Sequence, residues 1–273
     1  MSLLGEDFKK ATTRWLYPRD QQMNFWRGLG LALGVFAVYN VLQYIIVVIV
    51  LRGDLSALVG PMPPGSTDAS AMLQTALLKA GVISLFPCGI LTAALSIYVA
   101  PFGLPKRLGK LPLHWPNLSV LGWSLVLFAF FVVTVVIAVV VVAVSGVDPS
   151  NAPGAVEKTL TELSKDPVLS VLGALSSILG APLAEEFIFR GLLFAAMART
   201  VIGWPGTVIV TSALWALLHI STAPIYGVVV IFGMGLVLGV LLLRFGSLWV
   251  TIACHTLWNV IVTLNLFTLG QQS

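Results

Sequence analysis

Two adjacent carboxylates and an arginine close a stretch that carries no other charge from Val168 to Leu183; Pro182 to Gly191 reads PLAEEFIFRG. An ionisable side chain at bilayer depth costs roughly 2.5–3.5 kcal/mol on insertion scales, so by default it marks a functional site. Glu186 and Arg190 are four residues apart and share a helix face, where they can pair. Glu185 points about 100° away. The pairing leaves it free, so one carboxylate is neutralised while the other stays available for chemistry. The alternative is a structural ion pair that locks two helices, with Glu185 reaching for the interface.

Two of the three histidines also fall in apolar runs. His219 ends SALWALLH, four residues after Trp215, and His255 precedes Asn259 by four in CHTLWN, each pair on one helix face. His114 lies in a basic loop and receives no role. At ~1.5 Å per residue from the inner boundary, Glu185 and His219 lie about 20 Å along their helices and His255 about 14 Å. Three helices can therefore bring Glu185, His219, His255 and Asn259 into one cavity. A lone membrane histidine usually serves a helix–helix hydrogen bond; this constellation, in a chain with 10% charged residues, points to chemistry. Two histidines and a glutamate are also a zinc ligand set with one position open for water.

The elements that must hold these groups follow from composition. The 273 residues are 58% hydrophobic, with mean hydropathy +0.99. Soluble domains carry about 25% charged residues, so this is a multi-pass integral membrane protein, expected in the cell membrane. Continuous apolar runs without alternation imply an all-α helical bundle rather than a barrel. Seven spans are expected: Phe25 to Leu51, Gly81 to Ala100 (stopped by Pro101), Val120 to Val144, Pro167 to Arg199, Thr207 to Ile220, Ile225 to Leu243, and Leu248 to Leu269. The fifth is the shortest. Gly203-Trp204-Pro205-Gly206 reads as a turn, GPMPPGSTDAS as an extended loop, and residues 156–165 as a small amphipathic helix. A second amphipathic segment is expected within residues 1–24, on the membrane surface.

Net charge +4 is no nucleic-acid signal, because the basic residues sit at span ends. An N-inside arrangement places ten lysines and arginines inside and four outside, and gathers Trp26, Trp115, Trp204 and Trp249 at the inner boundary. The first span is expected to act as an uncleaved signal anchor. Cys88 and Cys254 lie in apolar runs and imply no disulfide. Residues 1–150 are expected to hold the tail and three helices, and residues 151–273 a core of four.

EEFIFR resembles the EExxxR motif of the CPBP intramembrane proteases, also called the CAAX protease and bacteriocin-processing, or Abi, family. WALLH resembles that family's FxxxH motif, with Trp215 in place of the usual phenylalanine, a change expected to preserve packing. His255 and Asn259 match its HxxxN motif. The three occur in the family's order, and the resemblance spans about Asp166 to Leu269. It implies peptide-bond hydrolysis within the membrane, with Glu185 as general base, His219 orienting the water, and His255 and Asn259 forming the oxyanion hole. Glu186 and Arg190 would fix the helix face behind Glu185. No cofactor is expected, with zinc as the alternative. The partners implied are the bilayer and a membrane-embedded or lipidated peptide: a prenylated CAAX tail, a bacteriocin leader or a membrane-protein segment. A non-catalytic scaffold of the same family is the main rival. A proton-coupled transporter would more often show inverted repeats, and none is visible.

Overall fold

The structure is a computed structural model that describes residues 3–13, 16–17, 19–52, 69–103, 111–148 and 154–270. Its helices are α1 (Glu6–Thr13), α2 (Phe25–Arg52), α3 (Ala69–Gly103), α4 (Val120–Ser145), α5 (Ala155–Leu163), α6 (Pro167–Met197), α7 (Gly203–Leu217), α8 (Ile225–Phe245) and α9 (Leu248–Gly270). No strand occurs among the described residues. All but α1, α5 and α7 are long and apolar enough to cross a membrane, which makes six. The expected fifth span is α7, whose 15 residues reach only roughly 22 Å. It is packed against α6 and α8.

Three expected boundaries are corrected. α3 begins at Ala69 rather than Gly81, and it continues past Pro101 to Gly103. A proline one turn from a helix end disrupts little that follows it, so it marks the end without enforcing it. Gly203–Gly206 is the first turn of α7 rather than a free turn. Pro205 fits there because the first N–H groups of a helix have no intrahelical acceptor in any case. Residues 60–68 of the proline-rich loop and 104–110 of the basic loop lie outside the described residues.

Local chemistry sets where α6 starts and what it packs on. Asp166 caps it, accepting from the N–H groups of Val168 and Leu169 at 2.9 Å each, with Pro167 at the first helical position. Pro87 lies inside α3 and has no N–H for the Ile83 carbonyl four residues earlier. Ser176 of α6 donates its hydroxyl to that carbonyl at 2.9 Å. One turn on, the backbones of Gly89 and Gly180 touch, and a Cβ on either would strike the opposite main chain. Small residues allow this approach between membrane helices. It seats the glutamate-bearing half of α6 against α3.

One end of the bundle gathers the N-terminal segment, the loop before α4 and the α8–α9 junction. Leu16 N–H bonds Leu243 O, Met23 N–H bonds Ala195 O, and Leu248 N–H bonds Pro112 O. α1 is attached there too: Arg244 donates to Ala11 O at 3.1 Å, and Phe8 lies 6.4 Å from Phe245 between ring centroids. Trp115 lies 5.5 Å from Trp123 and 6.0 Å from Trp249, forming an aromatic cluster at this end. The His114 carbonyl accepts from Ser247, so that residue contributes backbone to the junction. Cys88 and Cys254 are buried and unpaired.

Candidate active site

α6 departs from α-helical register twice, through π-helical stretches at Ser176–Gly180 and Glu186–Leu193. Such bulges often accompany functional sites because they free carbonyls and turn side chains. The first one explains Asn259. Ala181 N–H bonds back to Ser176 O, and Pro182 has no N–H to give, so Ser177 O is left without a backbone donor. The Asn259 side-chain amide of α9 fills that position at 2.7 Å. Beside it, Thr263 donates to the Ser177 hydroxyl at 3.0 Å.

The second stretch opens on Glu186, which forms the centre of a buried network. Its Oε1 accepts from Arg190 Nη1 at 3.1 Å and faces His255 Nδ1 at 3.0 Å. Glu186 and Arg190 are both 0% exposed and His255 is 3% exposed. Arg190 also reaches Gly235 O at 3.4 Å and lies over the Trp215 ring, 4.4 Å from its centroid. The expected Glu186–Arg190 pair is present, and it holds α8 and α9 as well as its own helix.

Glu185 is 22% exposed and is not free of partners: Trp215 Nε1–H donates to its Oε2 at 2.6 Å. Its Oε1 faces His219 Nε2 at 3.9 Å and its Oε2 faces His255 Nε2 at 3.9 Å. Both separations are too long for a direct hydrogen bond. His219 Nδ1 lies 2.9 Å from the Trp215 carbonyl, which can only accept. That nitrogen therefore carries the proton, and Nε2 of a neutral His219 is an acceptor. The same logic applies to His255, whose Nδ1 meets a carboxylate paired with arginine.

Glu185, His219, His255 and Asn259 all line one cavity of about 570 Å³. Part of the wall comes from α2, through Phe36, Tyr39, Asn40 and Gln43. These four follow the i, i+3, i+4, i+7 spacing of one helix face. Tyr39, Asn40 and Gln43, polar residues inside the first apolar run, are the signal for this wall in the sequence, and none of the three motifs contains them. Val156, Glu157 and Leu160 of α5 border the same cavity. A separate cavity of about 480 Å³, lined by Asn24, Arg27, Arg199 and Thr200 among others, contains none of the cluster. Among the described residues no group of three or more His, Cys, Asp or Glu is arranged to hold a metal ion.

Residues 167–261 match the family model described as Rce1-like, type II CAAX prenyl endopeptidase Rce1-like. The matched segment contains all three motifs and bears out the resemblance read from them. It covers roughly a third of the chain and excludes α2 and α3. No curated protein and no solved structure matches the chain.

Proposed function

We propose that this chain with its Rce1-like segment is an intramembrane endopeptidase, in which Glu185 activates a water that attacks a peptide bond of a membrane-associated substrate. The observation that carries this reading is the Glu185 carboxylate facing two histidine Nε2 atoms at 3.9 Å on the wall of a largely apolar cavity. A general base must reach its proton directly or through one water, and 3.9 Å between flanking groups leaves that role to a bridging molecule. His219 Nε2, an acceptor when neutral, suits the second hydrogen of the attacking water.

The roles of His255 and Asn259 in this reading follow from the hydrogen atoms they can offer. His255 turns Nδ1 to the Glu186 carboxylate at 3.0 Å and Nε2 toward Glu185, so that as an imidazolium it would donate from Nε2 to the developing oxyanion while Glu186 supports Nδ1. Asn259 gives one amide hydrogen to Ser177 O, and its nitrogen keeps a second for the oxyanion. Mechanistically, Glu185 takes the water's proton as the C–O bond forms and returns it to the leaving amine as the C–N bond breaks. We favour the reaction without a cation, because an N–H donor on Glu185 Oε2 suits a free carboxylate.

The test is hydrolysis by purified protein in liposomes, using a prenylated C-terminal peptide, its unprenylated counterpart and a leader-type peptide. Wild type should cleave at least one, and Glu185→Gln should not, while remaining monodisperse. Comparative membrane proteomics of wild type and Glu185→Ala cells should then show an accumulated precursor. Equal cleavage by wild type and Glu185→Gln in every assay would refute the assignment.

A further inference from the structure

We propose that Trp215 is a positioning residue for the Glu185 base, acting through its indole N–H; this rests on the proteolytic reading above. Phenylalanine is usual at this position of the motif that WALLH resembles, and an aromatic exchange alone would only fill the same space. The geometry assigns the indole more than packing. Its Nε1–H donates to Glu185 Oε2 at 2.6 Å, a close contact of the kind a carboxylate acceptor favours over a neutral one. With Oε2 held, the carboxylate plane is fixed and Oε1 is the oxygen presented toward His219, 3.9 Å away. An indole N–H donates and never accepts, so it orients the base without competing for the proton the base must take.

The ring itself has little room to move. It is 1% exposed, with the Arg190 guanidinium 4.4 Å from its centroid. A Cβ on Gly235 of α8 would already sit 3.1 Å from its Cε3. The rings of His219 and His255 stand in T-shaped arrangements with it, at 5.5 and 5.2 Å between centroids. The Trp215 carbonyl meanwhile holds His219 Nδ1 at 2.9 Å. One residue thus sets the base through its side chain and the neighbouring imidazole through its main chain. Substitution by phenylalanine keeps the carbonyl and a ring beside the guanidinium, but removes part of the buried ring area together with the N–H.

The experiment compares wild type with Trp215→Phe and with a variant carrying β-(3-benzothienyl)alanine at 215, which has nearly the shape of tryptophan and no N–H. A base free to swing by an ångström loses about 10- to 100-fold. That fall is expected in kcat for both variants with KM unchanged; the thermal midpoint should hold in the benzothienyl variant and fall in Trp215→Phe, which loses buried ring area. Trp215→Phe covers general loss of ring area, and the benzothienyl variant isolates the donor. Wild-type kcat in the benzothienyl variant overturns the proposal, as does a fall in its kcat matched by a fall in its stability. Failure of the proteolytic reading looks different: wild type and Glu185→Gln are then equally inactive on every substrate, and the positioning role falls with it.

Discussion

Replacing Glu186 by glutamine should damage the fold, whereas the same change at Glu185 should damage only chemistry. Glu186 and Arg190 are both 0% exposed, and the carboxylate also meets His255 Nδ1 at 3.0 Å. Losing one member of a buried pair strands the other charge, at a cost of about 3–5 kcal/mol. Both hydrogen bonds go to Oε1, and a glutamine oxygen in its place can still accept them, which places the expected loss at the lower end of that range. At Glu185 the side chain is 22% exposed, and a glutamine oxygen can still accept from the Trp215 indole. The loss there is one ordinary hydrogen bond at most, about 0.5–1.5 kcal/mol. Cys88 and Cys254 are buried and free, so a thiol-reactive dye reports unfolding in detergent without added labels. The Glu186→Gln midpoint should fall well below both wild type and Glu185→Gln. Glu186→Leu combined with Arg190→Leu should recover much of what Glu186→Leu alone loses, because no buried charge is then stranded. Equal midpoints for the two glutamine variants would refute the division between a structural and a chemical carboxylate.

The metal question is open to direct test: activity should survive strong chelation, and zinc analysis should find far less than one ion per chain. If Asn259 donates to the oxyanion, Asn259→Ala should lower kcat by roughly 100- to 1000-fold with KM nearly unchanged. Recovery of that variant by added zinc would instead assign it to orienting a metal-bound histidine. Gly180→Ala should lower the dye-detected midpoint and expression level more than Gly34→Ala, since a Cβ at 180 strikes the α3 backbone and one at 34 meets open space. Equal behaviour of these two alanine variants would remove the α3–α6 contact from the account.

The bundle and the motif-bearing helices were legible because apolar run length and i,i+4 spacing are local properties of sequence. Glu186 with Arg190 is such a pair, and the structure contains it. What was not legible depends on partners distant in the chain. Glu185 is 30 residues from the indole that binds it. Asn259 lies 82 residues from the Ser177 carbonyl that accepts its amide. The reason that carbonyl is available, a π-register shift followed by Pro182, is visible only once the backbone is known. The α2 wall of the cavity was missed for a simpler reason. Tyr39, Asn40 and Gln43 are uncharged, and uncharged polar groups inside an apolar run carry a weaker cost than charges, hence a weaker signal.

The shortness of α7 made it the weakest of the expected spans, yet it accounts for the placement of His219. In a helix that continued, the His219 N–H would bond the Trp215 carbonyl four residues back. α7 instead ends at Leu217, and the tightened last turn sends the His219 N–H to Ala216 O at 3.0 Å. Such i→i+3 closure is common at helix ends and leaves an earlier carbonyl without a backbone donor. That carbonyl belongs to Trp215, and His219 Nδ1 takes it at 2.9 Å. The ring is thereby held with Nε2 toward Glu185, the orientation a water-holding histidine needs. A full-length transmembrane helix here would have used the Trp215 carbonyl for its own ladder and left the imidazole free to rotate. Helix length, the feature that blurs the count of spans, is therefore part of how the chain builds its site.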